Sequence, residues 1–163
     1  DPEGEIVYPA VSVRVDYEGE LAVVIGKTMR RVKADEALDY VLGYTICNDV
    51  TARDLQKTEG QWTRGKAADG FAPIGPRIVT GLNPADLTVI TRLNGETKQE
   101  GKTAQFITPL PQLLEFITQV ITLLPGDLVI TGTPAGVGPM QPGDRVEVEI
   151  PGIGVLANPV VAE

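Results

Sequence analysis

The sequence predicts a strand-rich α+β domain built around one core, and three observations carry that prediction. Glycine (18) and proline (13) are abundant in 163 residues, which favours many turns and short strands over long helices. Apolar and polar residues alternate at Val11, Val13, Val15 and Tyr17, and again at Val146, Val148 and Ile150. That is the period of a strand. Only two stretches, 34–42 and 110–123, carry a helical period.

The elements follow in order. The opening DPEGEIVYP reads as a loop leading into a strand over 11–16. Gly19 marks a bend or bulge, and a second strand covers 21–25. Residues 34–42 form a short helix, with Asp35 as N-cap, Ala37, Leu38, Val41 and Leu42 as its apolar face and Gly43 as its stop. A strand over 44–50 contains Cys47 as a buried small residue. Thr51 caps a single helical turn. Residues 57–75 form a long glycine- and proline-punctuated loop, and loops of that length in a compact domain tend to be functional. Strands follow at 77–80 and 87–93. Asn94-Gly95 is a hairpin turn into 96–99. The helix at 110–123 buries Leu113, Leu114, Phe116, Ile117, Val120 and Ile121. A buried strand at 128–131, the alternating strand ending at Ile150 and a last strand around 155–156 close the chain.

Composition excludes several functions. The net charge of -8 disfavours binding to nucleic acid or an anionic membrane. A single cysteine, Cys47, leaves no intrachain disulfide and no cysteine-rich zinc site. No apolar run approaches the ~20 residues of a membrane span, and a cytoplasmic location is expected. The chain has no histidine, so it holds no Ser-His-Asp triad, no Cys-His pair and no histidine base of its own. It opens without a methionine, as a piece of a longer polypeptide would.

The chemistry-bearing stretch is DYEGELAVVI, residues 16–25. On a strand, residues two apart share a face, so Glu18 and Glu20 stand side by side with Gly19 facing away. Two ionised carboxylates so close repel, unless one keeps a proton or a cation sits between them. A solvated strand face gives the same pattern. Asp49 ends a strand of apolar or small residues, where an acid needs a partner. Two glutamates and an aspartate make an all-oxygen set suited to magnesium, manganese or calcium. Arg53 and Asp54 read either as a surface pair or, for Arg53, as a clamp on a substrate carboxylate. Gln56 is a candidate polar contact. Lys66 is an exposed loop lysine or a cation placed over a developing enolate oxygen. TGTPAGVG, residues 131–138, is not a P-loop, since no Gly-Lys-Ser/Thr follows. Its backbone N–H groups and Thr133 can bind a carboxylate.

Together, DYEGELAVVIGK, GYTICNDVTARDLQ, QWTRGKAADGFAPIGP and LLPGDLVITGTPAGVGPMQPGD resemble the fumarylacetoacetate hydrolase superfamily, in order and spacing over nearly the whole chain. The resemblance implies a mixed β-roll with two short helices, forming one catalytic domain over 1–163, usually as a homodimer. It implies Mg2+ or Mn2+ held by Glu18, Glu20 and Asp49. It also implies a substrate site lined by Arg53, Gln56, Lys66 and Thr133, with Lys66 and Arg53 catalytic. Such proteins act on 2-oxo acids or their enols through a metal-stabilised enolate. The form of the first motif resembles the 2-hydroxyhepta-2,4-diene-1,7-dioate isomerase type, with acylpyruvate hydrolase and oxaloacetate decarboxylase as alternatives. Relatives carry a His and a Glu on an N-terminal lid segment that this chain does not contain. A non-catalytic scaffold that binds 2-oxo acids is the alternative outside enzymes, and a structural calcium site ranks last.

Overall fold

The computed structural model describes residues 1–163. Twelve strands and three short α-helices alternate along it: β1 (Ile6–Tyr8), β2 (Val15–Tyr17), β3 (Gly19–Ile25), β4 (Val41–Asn48), β5 (Thr51–Ala52), α1 (Arg53–Thr58), α2 (Thr63–Lys66), β6 (Ile74–Val79), β7 (Thr88–Leu93), β8 (Glu96–Lys102), α3 (Leu110–Thr118), β9 (Leu128–Ile130), β10 (Gly138–Met140), β11 (Arg145–Ile150) and β12 (Gly154–Ala162). The strands form three sheets, ordered β1-β12-β11-β7-β8, β10-β2-β5 and β6-β4-β3-β9. All pairings are antiparallel except β1 with β12. The strand-rich α+β class expected from the sequence is the observed one.

The main core lies where the four-stranded and five-stranded sheets meet. Leu21, Val23, Ile25, Tyr44 and Ile46 pack there with Val89, Val148, Ile150 and Leu156, and Leu110 and Leu114 of α3 close one side. A second cluster of Ile6, Val15, Tyr17, Val50, Met140, Val146 and Val160 joins the three-stranded sheet to β11 and β12. In β3 every residue is buried. Period two puts Gly19, Leu21, Val23 and Ile25 on the core face and Glu20, Ala22 and Val24 on the other.

Several boundaries differ from the sequence expectation, each for a tertiary reason. Residues 11–14 are not strand: Val11 and Val13 are exposed and Ser12 is buried. The Ser12 hydroxyl and the Val13 N–H both donate to Asp54, at 2.6 and 3.0 Å. Asp54 therefore secures this loop rather than forming a surface pair with Arg53. Of the expected helix at 34–42 only a 3-10 turn, Ala37–Tyr40, forms. Val41 is taken into β4 opposite Ile25. Helix α3 stops at Thr118, because the Arg31 N–H and the Arg30 side chain both donate to the Thr118 carbonyl at 2.8 Å. Phe116, Val120 and Ile121, expected to be buried, are exposed. Thr51 lies in β5, and Ala52 is the N-cap residue of α1. The strand at the N-terminus, β1, and the short helix α2 within the 57–75 loop have no periodicity long enough to be read.

Thr91 is fully buried in β7 and its hydroxyl has no hydrogen-bond partner. Burying an unpaired hydroxyl is costly. Thr91→Val is therefore expected to stabilise the domain by about 1 kcal/mol, read as a higher urea midpoint at unchanged slope. A lower midpoint would show that the hydroxyl has a partner.

Candidate metal centre

The chain between β2 and β3 turns a strand into a ligand platform. Glu18 sits at the junction and Glu20 is the second residue of β3, so both project from the face opposite the main core. Gly19 between them faces the five-stranded sheet. A Cβ there would run into the Thr91 hydroxyl and the Val148 side chain, so the residue separating the two acids has to be glycine. Asp49 follows β4 directly, and its N–H donates to the Glu18 carbonyl at 2.8 Å. From the other side, the Asn48 side-chain oxygen accepts the Glu18 N–H at 2.8 Å.

These fixings converge three carboxylates. Glu18, Glu20 and Asp49 each offer an oxygen, and the three oxygens lie within 4.8 Å of one another. Glu18 and Glu20 are buried and Asp49 is half-buried. An all-oxygen donor set of this charge fits a hard divalent cation such as Mg2+ or Mn2+, and does not fit a thiophilic one.

The second layer is cationic. Lys66, on α2, donates to Glu18 at 3.0 Å and also to Asp49. Burial works against its charge, but Asp49 and Glu18 outweigh it and hold the ammonium above its ordinary pKa. Arg53, at the start of α1, donates to Asp16 at 2.9 Å, to the Gln56 side-chain oxygen at 2.7 Å, and to Glu18. Asp16 is fully buried and also accepts from Arg14 at 2.9 Å. Glu20 lacks such compensation. Burial pushes its carboxyl up to about 7, against the single hydrogen bond it accepts, from the Gly132 N–H at 2.6 Å. Gly132 has φ +94°, a conformation that favours glycine and aims this N–H at the acid. Cys47, paired with Glu20 across β3 and β4, has its thiol pushed up to about 12, chiefly by burial, and stays an inert small side chain.

All the candidate residues read from the sequence lie around this cluster. Glu18, Glu20 and Asp49 form it, Lys66 and Arg53 bond to it directly, and Gln56 is attached through Arg53. Thr133 is one residue beyond Gly132, and its hydroxyl donates to the Gly19 carbonyl at 2.9 Å. Sequence reasoning missed Asp16, Asn48 and Gln99. Gln99 is buried in β8 and bonds to both Gly19 and Thr133. Asp16 gives no local signal, since it occupies a polar position of an alternating strand. Asn48 has a weak one, as a polar residue at the end of an apolar strand.

The comparisons agree on one family. The profile described as Fumarylacetoacetate (FAA) hydrolase C-terminal matches residues 1–161. An uncharacterized protein of Methanocaldococcus jannaschii is 55% identical over 161 residues, which are 99% of this chain and 68% of that protein. The crystal structure of 2-hydroxyhepta-2,4-diene-1,7-dioate isomerase from Mycobacterium marinum superposes with a TM-score of 0.97 at 53% identity. That match covers 99% of this chain and 64% of the other. The fumarylpyruvate hydrolase of Pseudomonas aeruginosa, crystallised with Mn2+ and pyruvate, gives a TM-score of 0.92 at 35% identity, over 98% of this chain and 71% of the other. Each of these relatives is longer than this chain. Proteins named as isomerases, decarboxylases and hydrolases all occur among the relatives. With the family profile matching residues 1–161 and relatives of 53–55% identity sharing nearly its whole length and its fold, the chain belongs to the fumarylacetoacetate hydrolase family.

Proposed function

We propose that residues 1–163 form the catalytic domain of a divalent-metal enzyme acting on 2-oxo acids or their enols. The reaction type favoured is that of the 2-hydroxyhepta-2,4-diene-1,7-dioate isomerase/decarboxylases. The observation that carries the reading is the convergence of three carboxylate oxygens within 4.8 Å, with Lys66 bonded to two of the three acids. Glu18, Glu20 and Asp49 would hold Mg2+ or Mn2+. Such an ion, when bound, supplies Lewis-acid polarisation of a 2-oxo group and stabilises the negative charge of the enolate.

The chain's own residues do the rest. Lys66, hydrogen-bonded to Glu18 and Asp49, brings a positive charge to the site. Arg53, anchored on buried Asp16, fixes Glu18 and aligns Gln56. The Gln56 oxygen is taken by Arg53, which leaves its amide NH2 for a substrate oxygen. Arg53 binds the substrate carboxylate with its remaining N–H groups. Thr133, next to the Gly132 that bonds Glu20, is proposed to line the substrate site. The relative crystallised with Mn2+ and pyruvate supports the pairing of metal with 2-oxo acid, and the isomerase at 53% identity supports the reaction type. A second reading, hydrolysis of acylpyruvates, takes its support from the hydrolase at 35% identity. The proposal includes a homodimer. In the structure, no helix is long and apolar enough to cross a membrane.

The test is a calorimetric titration of Mn2+ into the chain, with and without oxalate, a mimic of the pyruvate enolate. Binding that oxalate tightens is the expected result, and turnover of 2-oxo acids is then screened. Absence of Mn2+ binding under both conditions would sink the reading.

A further inference from the structure

We propose that Gln99 is a positioning residue, a side-chain pin that fixes the spacing of Glu18 and Glu20 and thereby sets metal affinity. The inference rests on the three-carboxylate metal reading above. Gln99 lies in β8 of the five-stranded sheet, whereas β3 pairs only with β4 and β9. No backbone ladder therefore ties the ligand segment to this neighbouring sheet, and Gln99 supplies a tie through its side chain. Its Oε1 accepts the Gly19 N–H at 3.1 Å. Its Nε2 donates to Thr133 Oγ1 and to the Pro134 carbonyl, both at 2.8 Å. Thr133 Oγ1 in turn donates to the Gly19 carbonyl at 2.9 Å.

The result is a closed ring: Gly19 N–H to Gln99, Gln99 to Thr133, Thr133 back to Gly19 C=O. Both peptide groups flanking Gly19 are held, and each of these joins Gly19 to one of the two glutamates. Rotation of either peptide plane would swing its glutamate away from the cluster. The same loop that receives Gln99 also holds Glu20 through the Gly132 N–H. The site asks for one acceptor and two donors on one planar group at 1% exposure. A glutamine amide provides them. A hydrocarbon side chain provides none, and a carboxylate would set an oxygen against the Pro134 carbonyl.

A merely satisfied core glutamine would affect stability alone. A pin would affect metal affinity at temperatures where the fold is intact, because groups that orient ligands tune affinity by about 10–100-fold. The experiment titrates Mn2+ calorimetrically, well below melting, into the wild-type chain, Gln99→Met and the isosteric Gln99→Glu. Val146→Ala, in the second hydrophobic cluster, serves as a destabilised control. Amide exchange at Gly19 is followed by NMR without metal. The expected result is faster Gly19 exchange and a dissociation constant about 10–100-fold higher in both Gln99 variants, with the control unchanged. Unchanged affinity in Gln99→Glu, or an equal loss in Val146→Ala, overturns the pin and leaves the metal reading standing. A wild-type chain that binds no Mn2+ overturns both.

Discussion

Glu20→Gln should lose Mn2+ binding by about 100-fold or more while leaving the metal-free fold as stable as before or more so. Glu20 is 3% exposed and its carboxyl pKa is pushed up to about 7 by burial. The neutral amide keeps the shape and can still accept the Gly132 N–H, but offers no charge to a cation. The sign of the stability change follows from linkage. Below pH 4.5, the ordinary value, Glu20 is protonated in both folded and unfolded chains. As pH rises from 4.5 towards 7, the unfolded chain releases the proton and the folded chain keeps it, so the folded state binds more protons and stability falls. Above about 7 both are ionised and the loss levels off. In chelator, the wild type should therefore lose on the order of 3 kcal/mol relative to Glu20→Gln across this window. Urea midpoints of the two proteins at pH 4, 6 and 8 measure the difference. A difference that stays flat with pH would show that Glu20 titrates normally. Full Mn2+ affinity in the variant would remove Glu20 from the ligand set.

The second large effect is expected at Arg53. Arg53→Met removes the guanidinium that neutralises fully buried Asp16 and fixes Glu18 and Gln56. Arg14 remains on Asp16, but about half of its side chain is exposed, so its compensation is weaker. Breaking one partner of a buried ion pair leaves an uncompensated charge and costs about 3–5 kcal/mol. The loss should appear in urea denaturation without metal, and turnover of any 2-oxo acid substrate should fall with it. Arg53→Lys should recover only part of either, because an ammonium cannot span Asp16, Glu18 and Gln56 as a planar fork does. Arg53→Met with wild-type stability would mean that Asp16 is compensated from elsewhere.

The parts of the site that follow from local periodicity were legible in the sequence. Glu18 and Glu20 share a face because side chains alternate along an extended chain. Asp49 announces itself as an acid ending an apolar strand, and Asn94-Gly95 is a turn by its own chemistry. What was not legible depends on partners far along the chain. Asp16 has the same local pattern whether it faces water or Arg53, 37 residues away. Helix α3 carries its apolar period past Thr118, and only the segment at Arg30 and Arg31 ends it. Val11 and Val13 alternate like a strand, yet Asp54 holds their loop by Ser12, the polar residue between them. The role of Gln99 required knowing that its strand lies beside a segment 80 residues earlier.

The closing pieces of the centre are separated widely along the chain: Gly132 from Glu20 by 112 residues, and Thr133 from Gly19 by 114. Such contacts cannot form in an isolated peptide, and closing loops of these lengths costs conformational entropy that the rest of the fold must offset. A cation gripped there ties together residues between Glu18 and Asp49, yet because it binds only the folded form it would, at 100 times its dissociation constant, add about 2.7 kcal/mol to the stability of the entire domain. Cellular supply of the ion would then govern how long the protein survives as well as how fast it works.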